Sequence, residues 1–123
     1  MKLTKILLKG LENIKDAGLS NVVEIINDDA ERLVLKNRTR FDMVFIDLEK
    51  TSYPFLLEYC VTILKDGGIL IADNCLLSGG IVEQNSNPAL EAIRRFDKMA
   101  AEHPQLDGTI IPIRDGVFLG RKK

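Results

Sequence analysis

The stretch Phe41-Asp-Met-Val-Phe-Ile-Asp47-Leu-Glu-Lys50 limits the chain's options most. Its apolar core mixes β-branched and aromatic side chains, the signature of a strand buried on both faces, as in a parallel sheet. The run stops at Asp47, with Glu49 and Lys50 close behind. A second apolar run, Ile69-Leu70-Ile71-Ala72, also stops on polar residues, Asp73-Asn74. In open α/β sheets, ligands bind at the carboxyl ends of strands, so both ends are candidate sites.

The segment between the two runs reads as a helix. Ser52-Tyr53-Pro54 places proline in a first turn, and Leu56, Leu57, Cys60, Ile63 and Leu64 give the apolar face before Lys65-Asp66-Gly67-Gly68. Strand, helix, strand implies a right-handed crossover and a parallel pair. Upstream, Leu3, Leu7, Leu11 and Ile14 predict an amphipathic helix that Gly18 ends in the left-handed conformation. Residues 22–27 read as a strand, and Asp28 or Asp29 as the cap of a short helix through Ala30, Leu33 and Val34. Downstream come a glycine-bearing loop over residues 78–87, read as a lid or substrate rim, and a helix opened by Asn87-Pro88. Strands over 109–113 and 117–120 follow, turning at Arg114-Asp115-Gly116.

A chain of 123 residues makes one domain, here 1–123. A net charge of -1 gives no general attraction to nucleic acid or membrane, and no apolar run is long enough to span a bilayer. With no signal peptide and two cysteines outside zinc or redox spacing, the expected setting is cytoplasmic, with reduced thiols. The terminal Arg121-Lys122-Lys123 reads as a solvated tail.

If the two strands are neighbours, their ends lie about 5 Å apart. Asp47, Asp73 and the Asn74 amide oxygen would then converge, and three hard oxygen donors suit Mg²⁺, Mn²⁺ or Ca²⁺ rather than zinc. Lys50, beside such an ion, would have its ammonium pKa lowered and act as general base. Plainer roles compete: a strand-end Asp also caps helices, Asp-Asn forms Asx turns, and a lone Lys is usually solvated. A response-regulator receiver is disfavoured, because too few residues separate Asp29 from Asp47 for the elements it needs.

These motifs, with Ile-Pro-Ile-Arg-Asp115-Gly116-Val-Phe-Leu-Gly-Arg-Lys at the end, resemble the cation-dependent O-methyltransferases of the catechol and caffeoyl-CoA type. The resemblance implies the C-terminal part of a class I, Rossmann-like three-layer α/β sandwich, with a mostly parallel sheet and an antiparallel C-terminal hairpin. It implies S-adenosylmethionine and a divalent cation (Mg²⁺, or Mn²⁺ or Ca²⁺) as cofactors. It assigns Asp47, Asp73 and Asn74 to the metal, Lys50 to the acceptor proton, and Asp29, Ala30, Asp47 and Tyr53 to the cofactor's surroundings. The implied acceptor is a small phenolic or catechol-like hydroxyl. Hydroxyuridine in transfer RNA is a less favoured alternative, for which Arg94, Arg95 and Lys98 would be the basic patch. A non-catalytic oligomerising module is a third. Leu48-Glu49 replaces the family's usual Ala-Asp, Asp28 stands where glycine is common, and Cys75-Leu76-Leu77 lacks the usual aromatic residue. The family's first two strands and glycine-rich loop are not in this chain. Either the strand at 22–27 pairs with that at 41–47, or the exposed edge pairs with a second chain in a homo-oligomer, a dimer being expected.

Overall fold

The computed structural model describes residues 4–84 and 86–123; Leu3 of the expected first helix and Asn85 of the expected loop lie outside them. The chain forms two compact units, Met1–Ala30 and Glu31–Lys123. In the first, α1 (Lys5–Asp16) begins where the Thr4 hydroxyl accepts from the Leu7 N–H at 3.2 Å. It is left through Gly18 at φ +70, the glycine stop read from the sequence. No residue of α1 is buried.

The strand expected at 22–27 does not form. Val22 and Val23 turn back, both donating to the Leu19 carbonyl at 3.0 Å. The β-branched residues supply strand propensity, but a strand exists only through a ladder, and this stretch has none among the described residues. It therefore does not pair with the strand that begins at Phe41.

The second unit holds a four-stranded sheet: β1 (Phe41–Ile46), β2 (Leu64–Ala72), β3 (Leu106–Ile111) and β4 (Val117–Lys122), in the order β1-β2-β4-β3. β1 and β2 are parallel, with Ile46 opposite Ala72, and β4 runs antiparallel to both β2 and β3. This is the α/β arrangement expected, closed by the antiparallel hairpin. Among the described residues β1 has no second partner. The helices are α2 (Ala30–Lys36), α3 (Tyr53–Ile63) and α4 (Pro88–Ala101). One core joins Ile46, Leu70, Ala72 and Phe118 of the sheet to Leu56, Leu57 and Cys60 of α3 and to Ile93, Phe96 and Ala100 of α4. The opposite face leaves Met43 and Phe45 more than half exposed.

Two sequence expectations are corrected here. The second strand starts not at Ile69 but at Leu64, directly from α3, and takes in Lys65-Asp66-Gly67-Gly68. Lys122 is not part of a solvated tail. It lies buried in β4, and its ammonium donates to the Val61 and Leu64 carbonyls at 2.8 and 2.9 Å. Helix ends leave carbonyls without intrahelical partners, and a cation there also meets the negative end of the helix dipole.

Candidate cation site at two strand ends

Because Ile46 and Ala72 are in register, the next residues, Asp47 and Asp73, leave the sheet side by side. The Asp73 N–H donates to the Ile46 carbonyl at 3.1 Å and continues the ladder into the loop. Asn74 then takes φ +62, a left-handed conformation that asparagine tolerates better than most residues. Its N–H donates to its neighbour's Asp73 Oδ1 at 2.8 Å.

Tyr53, at the start of α3, ties these ends together. It is fully buried against Phe96, with ring centroids 5.3 Å apart and planes at 72°. Its hydroxyl lies 3.1 Å from the Ile46 carbonyl and 3.0 Å from the Asp73 carbonyl. It accepts from Lys50 Nζ at 2.7 Å, and Lys50 also reaches Asp47 Oδ1 at 3.3 Å. Burial pulls the Lys50 ammonium pKa down. The hydrogen bonds and charges of Tyr53 and Asp47 outweigh it and leave the pKa above the ordinary lysine value. Burial raises the Tyr53 phenol.

Asp47, Lys50, Tyr53, Asp73 and Asn74 are thus brought to one end of the β1–β2 pair. Asp29 and Ala30 belong to the first unit, at the start of α2. A residue the sequence reading placed only in a turn joins from the hairpin: Asn74 Nδ2 donates to Asp115 Oδ2 at 3.1 Å. Its signal was absent from local sequence because the pair lies 41 positions apart. Asp73, Asn74, Arg114 and Asp115 also line a cleft of about 760 Å³ floored by Phe45, Ile71, Ile113 and Val117.

Among the described residues no group of three or more His, Cys, Asp or Glu side chains forms a metal cluster. The candidate set is two carboxylates and one amide. Its chemistry fits a hard divalent cation: the donors are oxygens on adjacent strand ends, Asp47 is half-exposed, and its Oδ1 meets a movable ammonium. The soft and imidazole donors are engaged in other contacts: Cys75 follows Asn74, but its thiol is buried and donates to the Ala72 carbonyl at 3.4 Å. His103 is buried with Nε2 3.1 Å from Glu58, Cys60 is buried in the core, and burial pushes both cysteine thiols up to about 12.

The loop after Asn74 is not a free rim. Arg94 donates to the carbonyls of Gly80, Ile81 and Glu83, at 3.2, 2.9 and 2.6 Å. That use of Arg94 removes it from the basic surface patch that the RNA alternative relies on. Among the described residues no helix is long and apolar enough to cross a membrane.

A crossover α/β unit with acidic residues at adjacent strand ends has the open-sheet architecture whose strand ends are the usual place for ligands. Comparison with known proteins gives the family. The chain belongs to the O-methyltransferase family, whose sequence pattern matches residues 5–123. It is 33% identical to the tapetum-specific methyltransferase 1 of Arabidopsis thaliana, over 92% of this chain and 53% of that protein. It is 32% identical to a catechol O-methyltransferase of Niastella koreensis, over 81% of this chain and 48% of that protein. Its fold matches that of an O-methyltransferase from Bacillus cereus solved in complex with SAH, with TM-score 0.83 and 22% identity over 99% of this chain and 60% of that one. The chain therefore spans about half the length of the relatives it matches.

Proposed function

We propose that the chain carries the cation and acceptor half of an S-adenosylmethionine-dependent O-methyltransferase acting on a small phenolic or catechol-like hydroxyl. The observation that carries this is the Asp47–Lys50–Tyr53–Asp73–Asn74 arrangement at the paired strand ends, in a chain of this family. The complex of the Bacillus cereus relative with SAH, the demethylated form of the methyl donor, supports the donor.

Asp47, Asp73 and Asn74 would hold the cation, which supplies a Lewis acid that lowers the pKa of the acceptor hydroxyl and orients its oxygen. The rest falls to the chain's own side chains. As it stands, Lys50 Nζ is held as an ammonium by Asp47 and Tyr53. Were Asp47 engaged by a cation, Lys50 would lose one of the two partners that hold its ammonium, and its Nζ would be the group placed to take the hydroxyl proton. Tyr53 keeps Lys50 in place and fixes the separation of the two strand ends. The cleft floor of Phe45, Ile71, Ile113 and Val117 excludes water from one side of an aromatic acceptor and sets its angle.

The decisive experiment is calorimetry of this chain with S-adenosylmethionine and Mg²⁺, followed by methyl transfer to catechol. Micromolar binding and labelled catechol are expected. Binding of neither ligand would make the chain a non-catalytic module, and label transferred to unmodified transfer RNA but not catechol would redirect the acceptor. Asp73→Ala is expected to abolish Mg²⁺ binding with the circular dichroism spectrum unchanged. Undiminished affinity would remove Asp73 from the site.

A further inference from the structure

We propose that Asp115, in the β3–β4 turn, is a positioning residue for the cation site, holding the Asn74 amide so that its oxygen is presented for coordination. The proposal rests on the assignment of Asp47, Asp73 and Asn74 as ligands.

The argument starts from what a carboxylate can do. An ionised Asp accepts hydrogen bonds and donates none, whereas a primary amide has a donating and an accepting arm. With Asp115 Oδ2 3.1 Å from the Asn74 side chain, only the amide nitrogen makes a favourable contact. The amide's oxygen is therefore turned away from the hairpin, and the chemistry of the partner decides an orientation that either end of the group would otherwise fill equally well. An Asn without that partner could rotate by half a turn and offer an N–H to a cation, which would repel it.

Asp115 is well placed for this task and poorly placed to be a ligand itself. Its other oxygen, Oδ1, accepts from the Ser78 N–H. Its backbone carbonyl accepts from the Leu76 N–H, and the next carbonyl, of Gly116, accepts from the Cys75 N–H, both at 2.9 Å. Four hydrogen bonds thus fasten the turn to residues 74–78. Gly116 makes the approach possible: it has φ +77, and a Cβ there would lie 2.3 Å from Leu76 Cγ. The Asn74 backbone is fixed independently through Asp73 Oδ1. With main chain and side chain both constrained, the amide oxygen has one direction. Groups that orient a metal ligand in this way typically change affinity 10–100-fold when removed.

Mn²⁺ binding to the whole chain, followed by electron paramagnetic resonance, tests the proposal without depending on turnover. Asp115→Asn keeps an acceptor for the Ser78 N–H but offers Asn74 an N–H, which invites the Asn74 amide to flip. Its Mn²⁺ affinity is expected to fall about 10–100-fold, with a melting temperature close to that of the parent. Combining Asp115→Asn with Asn74→Asp restores a donor–acceptor pair of opposite sense and leaves a carboxylate oxygen for the ion, so affinity is expected to return. A purely structural Asp115 would instead show a lowered melting temperature, unaltered affinity in the folded fraction and no recovery in the double variant. Unaltered Mn²⁺ affinity in Asp115→Asn, or no recovery in the pair, overturns the proposal. If the parent chain binds no Mn²⁺, the ligand assignment itself fails and the proposal falls with it.

Discussion

Arg114 is held at φ +52, a left-handed conformation that costs an ordinary L-residue roughly 1–2 kcal/mol. Glycine would remove that strain, while its looser unfolded chain takes back about 0.5–1 kcal/mol. Arg114→Gly is therefore expected to raise stability by about 0.5–1 kcal/mol, and Arg114→Val to lower it by a similar amount. Urea midpoints of the two variants should move in opposite directions; a parallel shift would mean the strain is absent. Asp97 is set by burial instead. Its Oδ1 is buried without a hydrogen-bond partner, and desolvation raises its carboxyl to about 6. The folded state thus holds this proton more tightly than the unfolded chain does. The stability so gained is present below the ordinary carboxylate range and is lost as pH rises through 6. Asp97→Asn should melt higher than the parent at pH 8, and the gap should close by pH 4. A gap independent of pH would show that the ionised form is not the source of the cost. Neither residue announces itself in the sequence, since φ at a turn and burial of a helix position both depend on what packs alongside.

At the scale of elements, the strand ends were legible and their fastenings were not. Asp47 and Asp73-Asn74 stood out because a buried run that stops on a carboxylate is visible by inspection. Tyr53 was visible as part of a motif, but its clamp on Ile46 and Asp73 depends on α3 crossing back over the sheet. Residues 22–27 misled for a related reason: propensity is local, whereas a ladder needs a partner strand. Lys122 is the clearest case. In sequence it belongs to a basic tail; in the fold its ammonium donates to the Val61 carbonyl in the last turn of α3 and to the Leu64 carbonyl at the start of β2. Lys122→Met keeps the buried stem and removes the ammonium from both carbonyls, leaving Val61 with the Leu64 N–H and Leu64 with Arg40 Nη1. A loss of about 1.5–3 kcal/mol is expected, the range for hydrogen bonds to a charged group. Chemical denaturation reads this directly, and a loss no larger than that of Lys123→Met, at an exposed neighbour, would show that the buried ammonium contributes nothing.

At the scale of the whole molecule, β1 delivers Asp47 and, among the described residues, is an edge strand of the sheet. Met43 is 57% exposed and Phe45 59%, on the face that α3 and α4 do not cover. An apolar edge strand with unpaired N–H and C=O groups is a template for another chain, and natural edges are usually blunted by charge or covered. Asp42 at the start of β1 is neutralised by Lys65 at 2.9 Å, which leaves no charge on Met43 to Ile46 to discourage pairing. We propose that a second copy covers this edge, making the chain a dimer. The register favours it: strands crossing antiparallel at Val44 set Met43 of one copy opposite Phe45 of the other, so the exposed side chains bury each other on the same face. Sedimentation velocity on the parent chain should then show a concentration-dependent dimer. Phe45→Lys places a charge in that contact on both sides of the two-fold and should return the protein to monomer. It should leave the β1–β2 core intact, because Phe45 does not face α3. A parent chain that stays monomeric at tens of micromolar, the range in which a weak dimer would still form, removes the dimer. A Phe45→Lys variant that remains dimeric moves the contact away from β1.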